Sequence, residues 1–115
     1  MHELGIVFYC IDQVEQIAKK NNAKKVLECT LELGEVSTVV PEYFLDLWNW
    51  EIKKHKLLEE CKINIVHLKA LTFCESCEKT YSTTEFGRIC PYCKSEHTYL
   101  IQGNECNIKE IEAED

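Results

Sequence analysis

Four of the eight cysteines in this 115-residue chain stand as two tight pairs, "CESC" at 74–77 and "CPYC" at 90–93. Each C-x-x-C unit can fold into a knuckle that presents two thiolates to one ion. Two knuckles separated by a twelve-residue excursion meet as the four-sulfur tetrahedron that structural zinc favours. Pro91 and the Gly87-Arg88 step give the excursion the character of a hairpin. The segment between Thr72 and Thr98 is too short to be held by apolar burial, because units below about 40 residues usually need a staple. Zinc can supply roughly 10–16 kcal/mol of apparent binding free energy to such a unit. Cys74, Cys77, Cys90 and Cys93 are therefore the expected zinc ligands, with rubredoxin-like iron as the competing ion. A thioredoxin-type redox pair would leave one of the two units unexplained. Four ligands with no open position make the site structural rather than hydrolytic.

Zinc ribbons often bind nucleic acid, but the charge here opposes that use. Between Cys74 and Cys93, Glu75, Glu78 and Glu85 face only Lys79 and Arg88. Four thiolates on one zinc ion add further negative charge, and the whole chain carries a formal charge of -7. His97, just after the second pair, reads as a solvated histidine or an occasional alternative ligand. Cys10, Cys29, Cys61 and Cys106 fall on apolar faces or at a strand start, where a thiol acts as a small hydrophobe.

The other residue that could do chemistry is His2, one position from the free α-amine. The Met1 amine, backbone nitrogen and the His2 imidazole can close chelate rings around one ion, and the Glu3 amide can complete a planar set of four nitrogens. That geometry belongs to Ni(II) or Cu(II) rather than zinc. The first amides of a helix have no carbonyl partner within it, so a metal there breaks no backbone hydrogen bond. On residue type alone a second-position histidine reads as an exposed, idle side chain.

The elements that must position these groups are legible in the hydrophobic pattern. Residues 4–21 place Leu4, Val7, Phe8, Ile11, Val14, Ile17 and Ala18 at helical spacing and end in cations, which suit a helix C-terminus. "VLECTLEL" at 26–33 alternates Leu27, Cys29, Leu31 and Leu33 against Glu28, Thr30 and Glu32, the mark of a half-buried strand. "GEVST" is a turn, and Pro41 opens a second helix expected over 41–60, with Phe44, Leu45, Trp48, Ile52 and Leu58 on one side. Residues 61–68 form another strand, and "TYLIQG" and "ECNIKEIEAED" close the chain. The expected fold is α+β, a small mixed sheet packed on two helices with an inserted zinc-ribbon-like module. The expected division is 1–70 plus 101–115 for the α/β domain and 71–100 for the zinc module. Without a basic leader, an apolar run long enough for a bilayer, or a disulfide pattern, the chain is expected to be acidic, soluble and cytoplasmic.

Three separated stretches resemble one family. "MHEL" is similar to the start of the HypA/HybF hydrogenase maturation proteins, nickel metallochaperones. "LELGEVSTVVPEYFLDLW" resembles the strand, turn and Pro-Glu helix that follow there. "CESC…CPYC" with "QGNECNIKEIE" resembles its zinc ribbon and closing strand. The resemblance implies that His2 is the essential nickel ligand, within a site formed by Met1, His2 and Glu3, and that Cys74, Cys77, Cys90 and Cys93 hold structural Zn(II). It implies Ni(II) as cargo, delivered with the GTPase HypB to the [NiFe]-hydrogenase large subunit. In some bacteria the urease accessory protein UreE is a further partner. Some relatives carry a histidine directly after each C-x-x-C; here Glu78 and Lys94 stand there, so a histidine-dependent zinc switch is not expected.

Two other readings compete. A zinc-ribbon adaptor for protein or RNA would carry no nickel and tolerate replacement of His2. An enzyme would need a nucleophile–base set, a phosphate-cradling loop or an open metal site, and none stands out. Glu51, His55 and Glu59 could align on the second helix, where a solvated face is the simpler reading.

Overall fold

The computed structural model describes residues 3–115, so the expectations for Met1 and His2 lie outside the described residues. Two compact units emerge. The first holds the described residues up to Glu32 with Thr38–Val66 and Cys106–Asp115; the second holds Leu33–Ser37 and His67–Glu105.

In the first unit, helix α1 spans Glu3–Lys20 and buries Val7, Cys10, Ile11, Val14 and Ala18. Its core face is rotated from the expected one: Leu4, Phe8 and Ile17 remain more than a third exposed, and Cys10 takes an inner position. The turn after the helix closes at Asn22, whose φ of 55 is left-handed. Ala23 N–H reaches back to Ala18 O at 2.9 Å and Asn22 N–H to Lys19 O at 3.2 Å, a paired closure that satisfies terminal carbonyls. Strand β1, Lys25–Gly34, is the centre of a three-stranded sheet between β2, Lys62–Leu68, and β6, Cys106–Glu114. Cys29, Leu31 and Leu33 alternate inward as expected, but the phase slips once: Val26 is buried and Leu27 is 43% exposed.

Helix α2 is shorter than expected. It spans Pro41–Glu51, continues as a 3-10 turn over Ile52–Lys54, and leaves helical geometry at His55, with φ -116 and ψ 110. Phe44, Trp48 and Ile52 fill the core at four-residue intervals, and Leu45 is only half-buried. Beyond Ile52 a straight helix would keep Leu57 away from β1. Instead, successive turns (Leu58 N–H to His55 O, Cys61 N–H to Leu58 O) let Leu57 O accept the Val26 N–H at 2.8 Å and bury Leu58.

In the second unit, β3, Leu71–Cys74, lies between β4, Thr80–Ser82, and β5, Thr98–Gln102, both antiparallel to it. A one-turn helix, α3, Thr83–Phe86, follows β4. Gly34 and Gly103 meet back to back: a Cβ on Gly34 would stand 2.0 Å from Gly103 O, and one on Gly103 would stand 2.5 Å from Ala70. With φ at +126, Gly103 also occupies a conformation that other residues rarely adopt. The "ELGE" and "QGNE" glycines are thus fixed by backbone proximity.

Candidate metal centre

Cys74 and Cys77 leave the end of β3, while Cys90 and Cys93 occupy the loop between α3 and β5. Both pairs adopt the same knuckle. Glu78 N–H donates to Cys74 O at 2.8 Å and Lys94 N–H to Cys90 O at 2.9 Å, and each turn closes in the left-handed region, with φ 59 at Glu78 and 63 at Lys94. Cys74 N–H to Lys79 O and Cys90 N–H to Ser95 O complete the two loops, and the Ser76 and Ser95 hydroxyls join them at 2.9 Å.

These turns bring the four sulfurs within 4.8 Å of one another. Cys74 Sγ lies 3.5 Å from Cys93 Sγ, and Cys77 Sγ lies 3.6 Å from Cys90 Sγ. Zinc–sulfur bonds of about 2.3 Å arranged tetrahedrally need sulfur–sulfur edges of about 3.8 Å. The donor set and its spacing therefore fit a tetrahedral thiophilic ion with little movement. The Cys77 N–H, then that of Ser76, favours the Cys74 thiolate and holds that thiol below its ordinary range despite burial. Burial opposes ionisation of Cys90, but the N–H groups of Cys93 and Tyr92 outweigh it and bring the thiol to about 7. Burial pushes Cys77 up to about 12. Cys93 also rises: the Ser95 N–H favours its thiolate, but desolvation of the sulfur and proton sharing with Cys74 and Cys90 prevail. Binding a dication must then displace the protons on Cys77 and Cys93, so affinity weakens as pH falls. Tyr81, buried beside the cluster, donates to Gly87 O at 2.8 Å and ties the excursion to the knuckles. The His97 side chain is exposed and stands outside the quartet; its carbonyl accepts the Glu75 N–H at 2.9 Å.

Glu3, the describable member of the expected nickel set, opens α1, and its carboxylate accepts the Val40 N–H at 3.3 Å. Val40 is the N-cap of α2 and has no side-chain oxygen to cap with. Glu3 thus supplies from another helix the acceptor for the N-cap N–H that a capping-box Glu or Gln at the third helical position would provide, where Tyr43 stands here.

The family model that describes HypA, hydrogenase/urease nickel incorporation, metallochaperone, matches residues 1–113. The chain belongs to the HypA family. It is similar to the hydrogenase maturation factor HypA of Actinobacillus succinogenes, 33% identical across 99% of this chain and 100% of the relative. The Shewanella oneidensis HypA is 32% identical, across 99% and 96%. The fold is similar to the solution structure of the Ni metallochaperone HypA from Helicobacter pylori, with a TM-score of 0.78, 25% identity, and coverage of 99% and 98%. The family-level function is hydrogenase maturation by a nickel metallochaperone, and among the described residues no helix is long and apolar enough to cross a membrane.

Against that HypA frame, two arrangements were not legible in the sequence. His55 bridges two carboxylates, Glu51 at 2.9 Å through Nε2 and Glu15 at 3.1 Å through Nδ1. Helical spacing would align Glu51 and His55 with Glu59 on a solvated face; instead Glu15 from α1 meets His55, and the backbone leaves helical geometry at His55. The four cysteines outside the quartet also pair, Cys10 with Cys106 and Cys29 with Cys61. They are separated by 96 and 32 positions, so no local motif could have joined them.

Proposed function

We propose that this chain binds Ni(II) through Met1, His2 and the backbone nitrogen of Glu3, and delivers it during maturation of the [NiFe]-hydrogenase large subunit together with the GTPase HypB. The supporting observation is the placement of Glu3. Helix α1 begins at this residue, whose carboxylate is already held by Val40. The helix's first N–H groups have no intrahelical carbonyl and so offer a metal nitrogen without loss of helix structure. Cys74, Cys77, Cys90 and Cys93 hold Zn(II) as a structural ion, and the chain acts stoichiometrically on its cargo, not as an enzyme, in the cytoplasm. The 1–70 plus 101–115 portion carries nickel, and the 71–100 portion is the zinc module.

Square-planar nitrogen ligation suits a site that must release its ion. Copper outbinds nickel at such donors, so selectivity comes from metal supply and docking. Docking on HypB or the hydrogenase rearranges the terminus and lowers its nickel affinity. Urease, through UreE, is a second client favoured by the family's description, which names hydrogenase and urease together.

The delivery step is tested by mixing nickel-loaded, zinc-replete chain with nickel-free hydrogenase large subunit, with and without HypB and GTP. Nickel should move to the large subunit, and His2→Ala chain should deliver none. Equal maturation by both proteins would contradict this assignment and favour a zinc-ribbon adaptor.

A further inference from the structure

Cys10 and Cys106 share a small cleft in the first unit, about 190 Å³ in volume, with Gln13 and Asn107 among its lining residues. Cys10 lies on the buried face of α1, 1% exposed, while Cys106 begins β6 and is half-buried. Both thiols thus border one cleft, on two elements that pack against each other, α1 and β6. This arrangement differs from that of Cys29 and Cys61, which also adjoin but are 1% and 3% exposed and do not line the cleft. It also differs from the quartet, whose four sulfurs already form one ligand set.

We propose that Cys10 and Cys106 form an oxidisable dithiol that reacts with a hydroperoxide and closes to an intramolecular disulfide. Cys106 is the attacking sulfur because it is half-buried at the cleft while Cys10 is 1% exposed, and interaction with the Cys10 thiol favours its thiolate against the opposing effect of burial. Its sulfur attacks one peroxide oxygen; the O–O bond breaks, the leaving oxygen takes up a proton to leave as water, and Cys106 becomes a sulfenic acid. Cys10 then loses its proton and attacks the Cys106 sulfur. The S–O bond breaks, a second water leaves, and the S–S bond forms. Two thiols lose two electrons in all, and hydrogen peroxide gains them as it becomes two waters. Interaction with the Cys106 sulfur, then burial, holds Cys10 well above an ordinary thiol, which suits the resolving partner rather than the first attacker. The product ties the last strand to α1, the helix that starts at Glu3. This chemistry is independent of the nickel assignment.

The test uses the full chain, zinc-loaded, treated with equimolar hydrogen peroxide, capped with iodoacetamide and digested without reduction. The expected product is a peptide pair cross-linked through Cys10 and Cys106, lighter by two hydrogens, with zinc content unchanged. In Cys10→Ser protein, Cys106 should instead accumulate as a sulfenic acid captured by dimedone. Recovery of Cys10 and Cys106 as alkylated thiols while the zinc cysteines oxidise would overturn the proposal. So would a cross-link from Cys10 to Cys29. The wild-type peptide map decides the matter even if the serine variant does not fold.

Discussion

The Glu3 carboxylate accepts the backbone N–H of Val40 at 3.3 Å, so the first described residue of α1 caps the second helix. This bond ties the first turn of α1 to the start of α2.

Replacing Glu3 by Ala should cost about 0.5–1 kcal/mol of stability, the usual net worth of a single hydrogen bond. Glu3→Gln should retain part of it, since an amide oxygen also accepts. Nickel stoichiometry should be unchanged in both variants, because the proposed ligand is the Glu3 backbone nitrogen rather than its carboxylate. Urea unfolding and metal titration of the same preparations check this. A loss of nickel with no loss of stability would show that the carboxylate binds metal instead.

The left-handed residues after each C-x-x-C make a second prediction. Glu78 and Lys94 hold φ values of 59 and 63, where a Cβ is strained. Glu78→Gly or Lys94→Gly should retain zinc and resist chelator slightly better, by up to about 1 kcal/mol each. Glu78→Val should lose zinc more readily, since a β-branched side chain fits this conformation poorly. Zinc release to a chromogenic chelator measures all three.

His55 gives the fold a pH dependence of definite sign. Partial burial disfavours its charge, but the hydrogen bonds that the ring donates to Glu51 and Glu15 outweigh that and raise its pKa above 6.5. Lys54 also lies 3.6 Å from Glu51 Oε1, on the same carboxylate. A histidine whose folded pKa is raised contributes stability that is fully present below the unfolded value and is lost as pH rises through the folded one. Unfolding free energy should therefore contain a component that falls as pH climbs above about 6.5. His55→Asn should remove that component. Denaturant curves for the two proteins across this window check it, and identical pH slopes would contradict a stabilising His55 bridge between Glu51 and Glu15.

What was legible follows the range of the underlying interactions. The quartet could be read because each knuckle is local and the chemistry of four thiols admits few ions. The helix starting at Glu3 and the strand through Cys29, Leu31 and Leu33 could be read from periodicity. The end of α2 could not, because it depends on Leu57 O meeting the Val26 N–H rather than on any breaker residue. The same holds for the phase slip at Leu27, the replacement of Glu59 by Glu15 beside His55, and the pairing of Cys10 with Cys106. Each depends on tertiary placement of residues far apart in the chain. Gly34 and Gly103 belong to both classes: the sequence shows two glycines, but only their 2.0 Å conflict explains why a Cβ has no room.

The most direct measurement titrates Ni(II) into the zinc-loaded chain with its native, untagged N-terminus, beside a His2→Ala variant, following the absorption band of square-planar nickel. One equivalent bound by the native protein and lost in His2→Ala, with zinc retained in both, is the expected result. Equal nickel binding by the two proteins, or none by either, would contradict the N-terminal cargo site.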